Sequence, residues 1–223
     1  MNLPTINPNL INVHNEYISL ASPIPLRTLS SAVSGAGLGW YFTFVNRHVN
    51  KNYRIANHRE DMQSFIHQIG YDVSETVGMM TAVKVKDVAF KLYNEDEFSV
   101  FIVVTAGVGN AVDSTEAYHY TRENNIGTIN TWIFINGYVT DEALVQSVIT
   151  ATEAKTKVLF DLNIHDPFSN TIATGTSTDS ILVAATQQGK TLPYAGTATP
   201  LGQLIGRAVY NETKRAILHT RRS

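Results

Sequence analysis

The stretch F-K-L-Y-N-E-D-E-F-S-V-F-I-V-V, Phe90 to Val104, decides how the chain is read. Apolar and β-branched residues crowd both sides of an acidic break, Asn94 to Glu97. A connection that short suits a hairpin, so the strands expected over Met79–Tyr93 and Phe98–Val108 pair antiparallel. Working outward, Leu10–Ala21 reads as a strand from the partial alternation of Ile11, Val13, Ile18 and Leu20, with Pro23 and Pro25 ending it. W-Y-F-T-F-V after Gly39 and Gly127–Ile135 are strands by the same reasoning, and two more flank the polar loop T-G-T-S-T-D at Thr174–Asp179.

Helices fall singly between these groups. Asn57 can cap a helix running to Gly70, with Glu60 completing a capping box and Met62, Phe65, Ile66 and Ile69 on one face. A long helix is expected over Asp141–Leu162 and a last one from Pro200 to about Thr220. Strands in neighbouring pairs with single helices between them do not make a strict β-α-β-α alternation. The expectation is an α+β fold, a single domain with mixed or antiparallel sheet and helices packed on its outer faces.

Composition narrows the function. Of 223 residues, 43% are hydrophobic and 16% charged, which suits a packed core and argues against disorder. The formal net charge is -2, and basic residues cluster only near the end (Lys214-Arg215, Arg221-Arg222), too few to track a phosphate backbone. Nucleic acid is therefore not an expected partner. With no cysteine, disulfides, thiolate metal sites and cysteine nucleophiles are excluded. The opening M-N-L-P-T-I-N-P-N-L lacks the basic start and apolar run of a signal peptide, and no segment approaches the ~20 apolar residues of a membrane span. A cytoplasmic protein with no membrane partner is the expectation, with self-association left open.

Gly35, Gly37 and Gly39 are spaced G-x-G-x-G and followed by a strand rather than a helix, so they read as a turn or bulge and not as a dinucleotide loop. None of the seven histidines, His14, His48, His58, His67, His119, His165 and His219, shows a zinc-ligand spacing, and no metal is expected. His165-Asp166-Pro167 reads as a helix-terminating turn, and G-x-S-x-G is not formed around Ser30 and Ser31.

Helix periodicity singles out Lys155. At about 100° per residue, Leu144, Val148, Ala151, Val158 and Leu162 form one apolar stripe with Lys155 in its middle, while Glu153 projects to nearly the opposite side, within reach of Lys157. Glu212 occupies the centre of the last helix's apolar face. Three readings stand: Lys155 snorkels to solvent, pairs with Glu212 between packed helices, or points its ammonium into a site.

Four loops combine glycine with hydroxyl or amide side chains: Thr105–Ala111, Gly127–Asn130, Thr174–Asp179 and Ala195–Gly202. Glycine allows a ligand close to backbone N–H groups, and neutral donors and acceptors suit an amide-rich ligand better than a polyphosphate. The loops are expected to wall one shared cleft. Candidate binding residues are Thr105, Asn110, Asn130, Thr174, Gly175, Thr178, Gly196 and Thr197.

In order along the chain, S-S-A-V-S-G-A-G-L-G (Ser30–Gly39), V-G-M-M-T-A-V (Val77–Val83), V-T-A-G-V-G-N-A (Val104–Ala111), G-T-I-N (Gly127–Asn130), T-E-A-K-T (Thr152–Thr156), A-T-G-T-S-T-D (Ala173–Asp179) and Y-A-G-T-A-T-P-L-G (Tyr194–Gly202) resemble the adenosylcobinamide amidohydrolases of the CbiZ type. V-D-S-T-E-A-Y-H-Y after Ala111 fits the family less well. The resemblance implies one amidohydrolase-like domain over residues 1–223. Its substrate would be adenosylcobinamide, whose aminopropanol amide is hydrolysed to give adenosylcobyric acid for cobalamin salvage. No cofactor is implied, the corrinoid being the substrate. Under that reading Asp179, ahead of Glu153, would activate water. Lys155 and the N–H groups of Thr174–Thr178 would stabilise the oxyanion or protonate the amine, with Thr176 or Thr178 as an alternative nucleophile. Asp179 has a second possible role, holding the loop's amides and threonines in place. A corrinoid-binding protein without catalysis, or an amidohydrolase of another amide, remains the alternative.

Overall fold

A computed structural model describes residues 3–50, 52–117 and 127–222; His119 lies outside them. The chain runs through β1 (Ile11–Val13), β2 (Tyr17–Ser30), β3 (Gly37–His48), α1 (His58–Gln68), β4 (Thr76–Thr81), β5 (Ala89–Asn94), β6 (Ser99–Gly107) and β7 (Ala111–Val112). It continues through β8 (Thr128–Asn136), β9 (Tyr138–Val139), α2 (Asp141–Asp161), β10 (Gly175–Thr176), β11 (Ser180–Ala185), β12 (Thr191–Leu192) and α3 (Pro200–Thr220). The main sheet has the order β4-β3-β2-β11-β8-β6-β5, with β1 added against β2. Pairing is parallel at β3–β4 and β8–β11 and antiparallel elsewhere in that order. This is the α+β architecture with a mixed sheet.

The Phe90–Val104 stretch forms the expected hairpin. Asn94 pairs with Ser99, and the Glu95 N–H closes the turn on the Phe98 carbonyl at 2.9 Å. β6 is buried along its whole length, because alternate residues enter two different cores. Ile102 and Val104 lie with Ile133 and Val183 beneath α2 and α3. Phe101 and Val103 lie with Trp132, Phe134, Phe44 and Met79 on the other face.

That second core exists because the sheet curls on itself. β4 and β8 have three strands between them in the sheet order, yet Trp132 Nε1 donates to Met79 Sδ at 3.3 Å and Asn130 Nδ2 to the Met80 carbonyl at 2.8 Å. Two residues along β8 from Trp132, Asn130 also donates to Asn46 Oδ1 at 2.8 Å, and Asn46 Nδ2 donates to Thr105 Oγ1 at 2.9 Å. The interior of the resulting half barrel is thus apolar below and closed above by a satisfied layer of buried amides.

Several expectations are corrected. The first strand divides into β1 and β2, and β2 runs through Pro23 and Pro25 to Ser30. Its register with β3 shifts between Ala21 and Leu26, so the prolines sit where the ladder is interrupted and needs no N–H from them. Met79–Tyr93 is not one strand. Val83 and Val85 are buried in a turn between β4 and β5, which a V-K-V-K alternation matches as well as a strand does. No strand enters Thr174 from the N-terminal side; Ile172 makes a single bridge to His165. α2 ends as expected, with Leu162 as its C-cap and ahead of the turn at His165: Asn163 takes a left-handed φ of 51°, its N–H bonds the Phe160 carbonyl, and the Ile164 N–H bonds that of Leu159. Lys157 pairs with Asp161 rather than Glu153.

Asn46→Ala is expected to lower stability by about 1–3 kcal/mol in urea unfolding, because it orphans a buried Asn130 N–H and the Thr105 hydroxyl. A change within 0.5 kcal/mol would show that water replaces the lost amide.

Candidate functional site

Asp179 precedes β11 and is the meeting point of three segments. Its Oδ1 accepts the Ile129 N–H at 3.0 Å and the Thr176 hydroxyl. Its Oδ2 accepts the Thr176 N–H at 3.1 Å and Lys155 Nζ at 2.5 Å. Lys155 therefore does not reach Glu212, which instead pairs with Arg215 at 2.6 Å and accepts from Tyr93 at 2.8 Å. With side chains only 15% and 19% exposed, Lys155 and Asp179 explain each other: a lysine in an apolar stripe tolerates its position because a carboxylate meets it there. Gly175 makes the approach possible. A Cβ there would stand 2.6 Å from Asp179 Oδ2 and 2.8 Å from Lys155 Nζ.

The rest of the loop grips its neighbours. Asn110 Nδ2 donates to Ser177 Oγ at 2.8 Å, Thr178 Oγ1 donates to the Gly127 carbonyl at 2.8 Å, and Thr128 Oγ1 donates to the Thr178 carbonyl at 2.7 Å. Thr174 Oγ1 accepts the Ser114 N–H at 3.0 Å. Gly127 in turn lies so near the Gly107–Asn110 loop that a Cβ on it would meet the Gly107 carbonyl at 2.4 Å and Asn110 Oδ1 at 2.5 Å. Three of the four glycine loops thus form one assembly, with Thr105 and Asn130 in the amide layer beneath it.

The fourth loop, holding Gly196 and Thr197, is elsewhere. Ala195 is fixed to α2 by Gln146 and Thr150, and Thr199 caps α3 by accepting the Gly202 N–H at 3.1 Å. Its hydroxyl chemistry serves a helix N-terminus, so only the other three loops come together. Glu153 is exposed on the far side of α2, away from Asp179.

Two cavities flank this assembly. One of about 150 Å³ lies between α2 and the sheet, bounded by Ile129, Thr131, Thr152, Lys155, Asp179 and Ile181. The other, about 770 Å³, opens at the mouth of the half barrel on the opposite side of the Gly127–Ile129 segment, and Val83, Val108, Gly109, Gly127, His48 and Asn50 are among its lining. The ion pair is therefore not in the larger space, and of these two cavities it is the larger that matches the ~300–1,000 Å³ of ordinary ligand sites. His48, to which the sequence assigned no role, donates from Nδ1 to the Val83 carbonyl at 2.9 Å. Its strand register beside Phe44 and Asn46 was the available signal. Among the described residues no group of histidine, aspartate and glutamate is arranged to hold a metal ion, and no helix is long and apolar enough to cross a membrane.

These features define an α+β protein with a ligand-sized, largely apolar cleft whose polar lining is His48, Asn50, Asn52, Lys84, Asp87 and Thr220. Residues 5–223 match the adenosylcobinamide amidohydrolase (CbiZ) family, and the chain belongs to it. It is 28% identical to an uncharacterized ABC transporter ATP-binding protein, YvrA, of Bacillus subtilis, over 80% of this chain and 32% of that protein. It is also 28% identical to an uncharacterized protein of Methanocaldococcus jannaschii, MJ1613, over 74% of this chain and 71% of that one. A Methanosarcina mazei adenosylcobinamide amidohydrolase is 28% identical over 62% of this chain and 64% of the enzyme. The chain thus spans about a third of the length of the Bacillus protein and a little under two thirds of the Methanosarcina enzyme.

Gly175→Ala is expected to cost about 1–3 kcal/mol by crowding the ion pair. Gly196→Ala, where a Cβ meets nothing within 4 Å, should stay within about 0.5 kcal/mol. Equal costs in parallel urea titrations would remove the special status of Gly175.

Proposed function

We propose that the chain hydrolyses the amide joining aminopropanol to the corrin side chain of adenosylcobinamide, releasing adenosylcobyric acid for cobalamin salvage. The observation that carries this reading, beside family membership, is the cavity of about 770 Å³. Its apolar lining suits the face of a corrin ring. The neutral amides of Asn50 and Asn52 and the backbone of the glycine loops suit the ring's fringe of amides.

Amide hydrolysis requires a proton acceptor for water, donors for the tetrahedral oxyanion and a proton for the departing amine. Asp179 is a candidate acceptor, but each of its oxygens already receives two donors. Water can be activated there only if Lys155 leaves Asp179, for instance to meet the oxyanion. The hydrogen bonds favour the other role open to this carboxylate. Lys155 and Asp179 hold the Thr174–Asp179 loop, whose Ser177 and Thr178 fix Asn110 and Gly127, and Gly127 forms wall of the larger cavity. Thr176 donates its hydroxyl to Asp179 in the same clamp, but it is buried and is not among the residues that line the larger cavity.

The direct test is incubation of the protein with adenosylcobinamide and assay of free aminopropanol and adenosylcobyric acid. Corrinoid binding without release would mark a carrier instead. Asp179→Asn separates the two roles of the carboxylate. As a clamp, its loss lowers thermal stability and raises KM more than it lowers kcat. A fall of about 10²–10⁴-fold in kcat with stability and KM unchanged would return the base to Asp179.

A further inference from the structure

We infer that His48 is the proton acceptor of the reaction, acting in the larger cavity; the inference rests on the amidohydrolase reading above. A carbonyl oxygen only accepts, so the bond from Nδ1 to the Val83 carbonyl places the ring proton on Nδ1 and leaves the Nε2 lone pair. Nε2 has no hydrogen-bond partner among the described residues, and the half-buried His48 lines the cavity of about 770 Å³. The backbone that carries the imidazole, and the carbonyl it bonds, are fixed in turn. The His48 N–H bonds the Glu16 carbonyl at 2.7 Å, the residue pairs with Thr81 of β4, and Val83 is itself tied to Thr81 Oγ1 at 3.1 Å. The remaining described histidines, His14, His58, His67, His165 and His219, are all exposed.

The comparison with Asp179 decides between the two groups. General-base catalysis needs a positioned group with a lone pair to spare. Asp179 has its acceptor sites occupied, one of them by an ammonium, and borders a space of about 150 Å³. His48 has an oriented, unoccupied acceptor in the larger of the two spaces. Nε2 takes a proton from water as the water oxygen bonds to the amide carbon. On collapse the carbon–nitrogen bond breaks, and Nε2–H returns the proton to the nitrogen that leaves as aminopropanol. The Gly109 N–H, without a partner among the described residues and on the wall of the same cavity, is available to the oxyanion.

The experiment measures aminopropanol release, corrinoid affinity by absorbance titration and thermal stability for wild type, His48→Gln and His48→Ala. The expected result is a loss of kcat of about 10²–10⁴-fold in both variants, with Kd within about threefold of wild type and partial recovery of His48→Ala by added imidazole. Activity of His48→Gln within about threefold of wild type overturns the assignment. So does a rate loss that follows a loss of affinity or folding and that imidazole does not relieve. Wild type that binds corrinoid but releases no aminopropanol overturns the amidohydrolase reading, and this one with it. An active wild type beside an active His48→Gln overturns this one alone.

Discussion

Asp179 receives hydrogen bonds from β8, β10 and α2, drawn from 50, 3 and 24 residues away along the chain. Two backbone N–H groups, one hydroxyl and one ammonium converge on a single carboxylate, and such charge-assisted bonds are about twice as strong as neutral ones. Removing the ammonium leaves a mostly buried anion with neutral donors only, and removing the carboxylate strands a lysine in an apolar stripe. Each partner makes the other tolerable, and the loop between them cannot relax independently. The positions of Ser177, Thr178, Gly127 and Asn110 follow from that anchor, one hydrogen bond at a time.

A second constraint acts at right angles to the first. The curl of the sheet brings β3, β4, β6 and β8 around one interior, and Asn46, Thr105 and Asn130 close it with bonds between side chains rather than along a ladder. Buried amides are costly when half satisfied and specifying when fully satisfied. Here they set how far β3 lies from β8, and so how wide the mouth above them opens. The cleft is therefore shaped by polar contacts at both its floor and its wall, while the apolar cores on the two faces of the sheet supply the burial that stabilises the whole.

What was legible in the sequence was local. The Phe90–Val104 hairpin, the cap of α1 at Asn57 and the bounds of α2 and α3 rest on periodicity and turn chemistry that a short window contains. Lys155 was legible as an anomaly, because helix geometry needs only the neighbouring turns. Its partner was not, since Glu212 and Asp179 are equally plausible until tertiary packing selects one. β2 was cut short at Pro23 because an interruption of the ladder against β3 cannot be seen from one strand. Gly196 and Thr197 were assigned to the cleft because glycine and threonine have the same composition in a ligand loop and in a helix cap. His48 carried no motif, and its interest lies in a lone pair left over after its other nitrogen is used, which is a property of the folded chain.

The contrast between Asp179 and His48 separates two uses of polarity in one small region. A group that frames a site must have its hydrogen-bonding capacity spent, since an orphaned donor or acceptor costs free energy and permits movement. A group that performs proton transfer must be held by one atom and unoccupied at another. Asp179 is held at every acceptor position and His48 at one nitrogen only. Counting unoccupied acceptors, rather than ranking residues by charge, is what distinguishes the frame from the reagent here. It does so where residue type alone would favour the carboxylate.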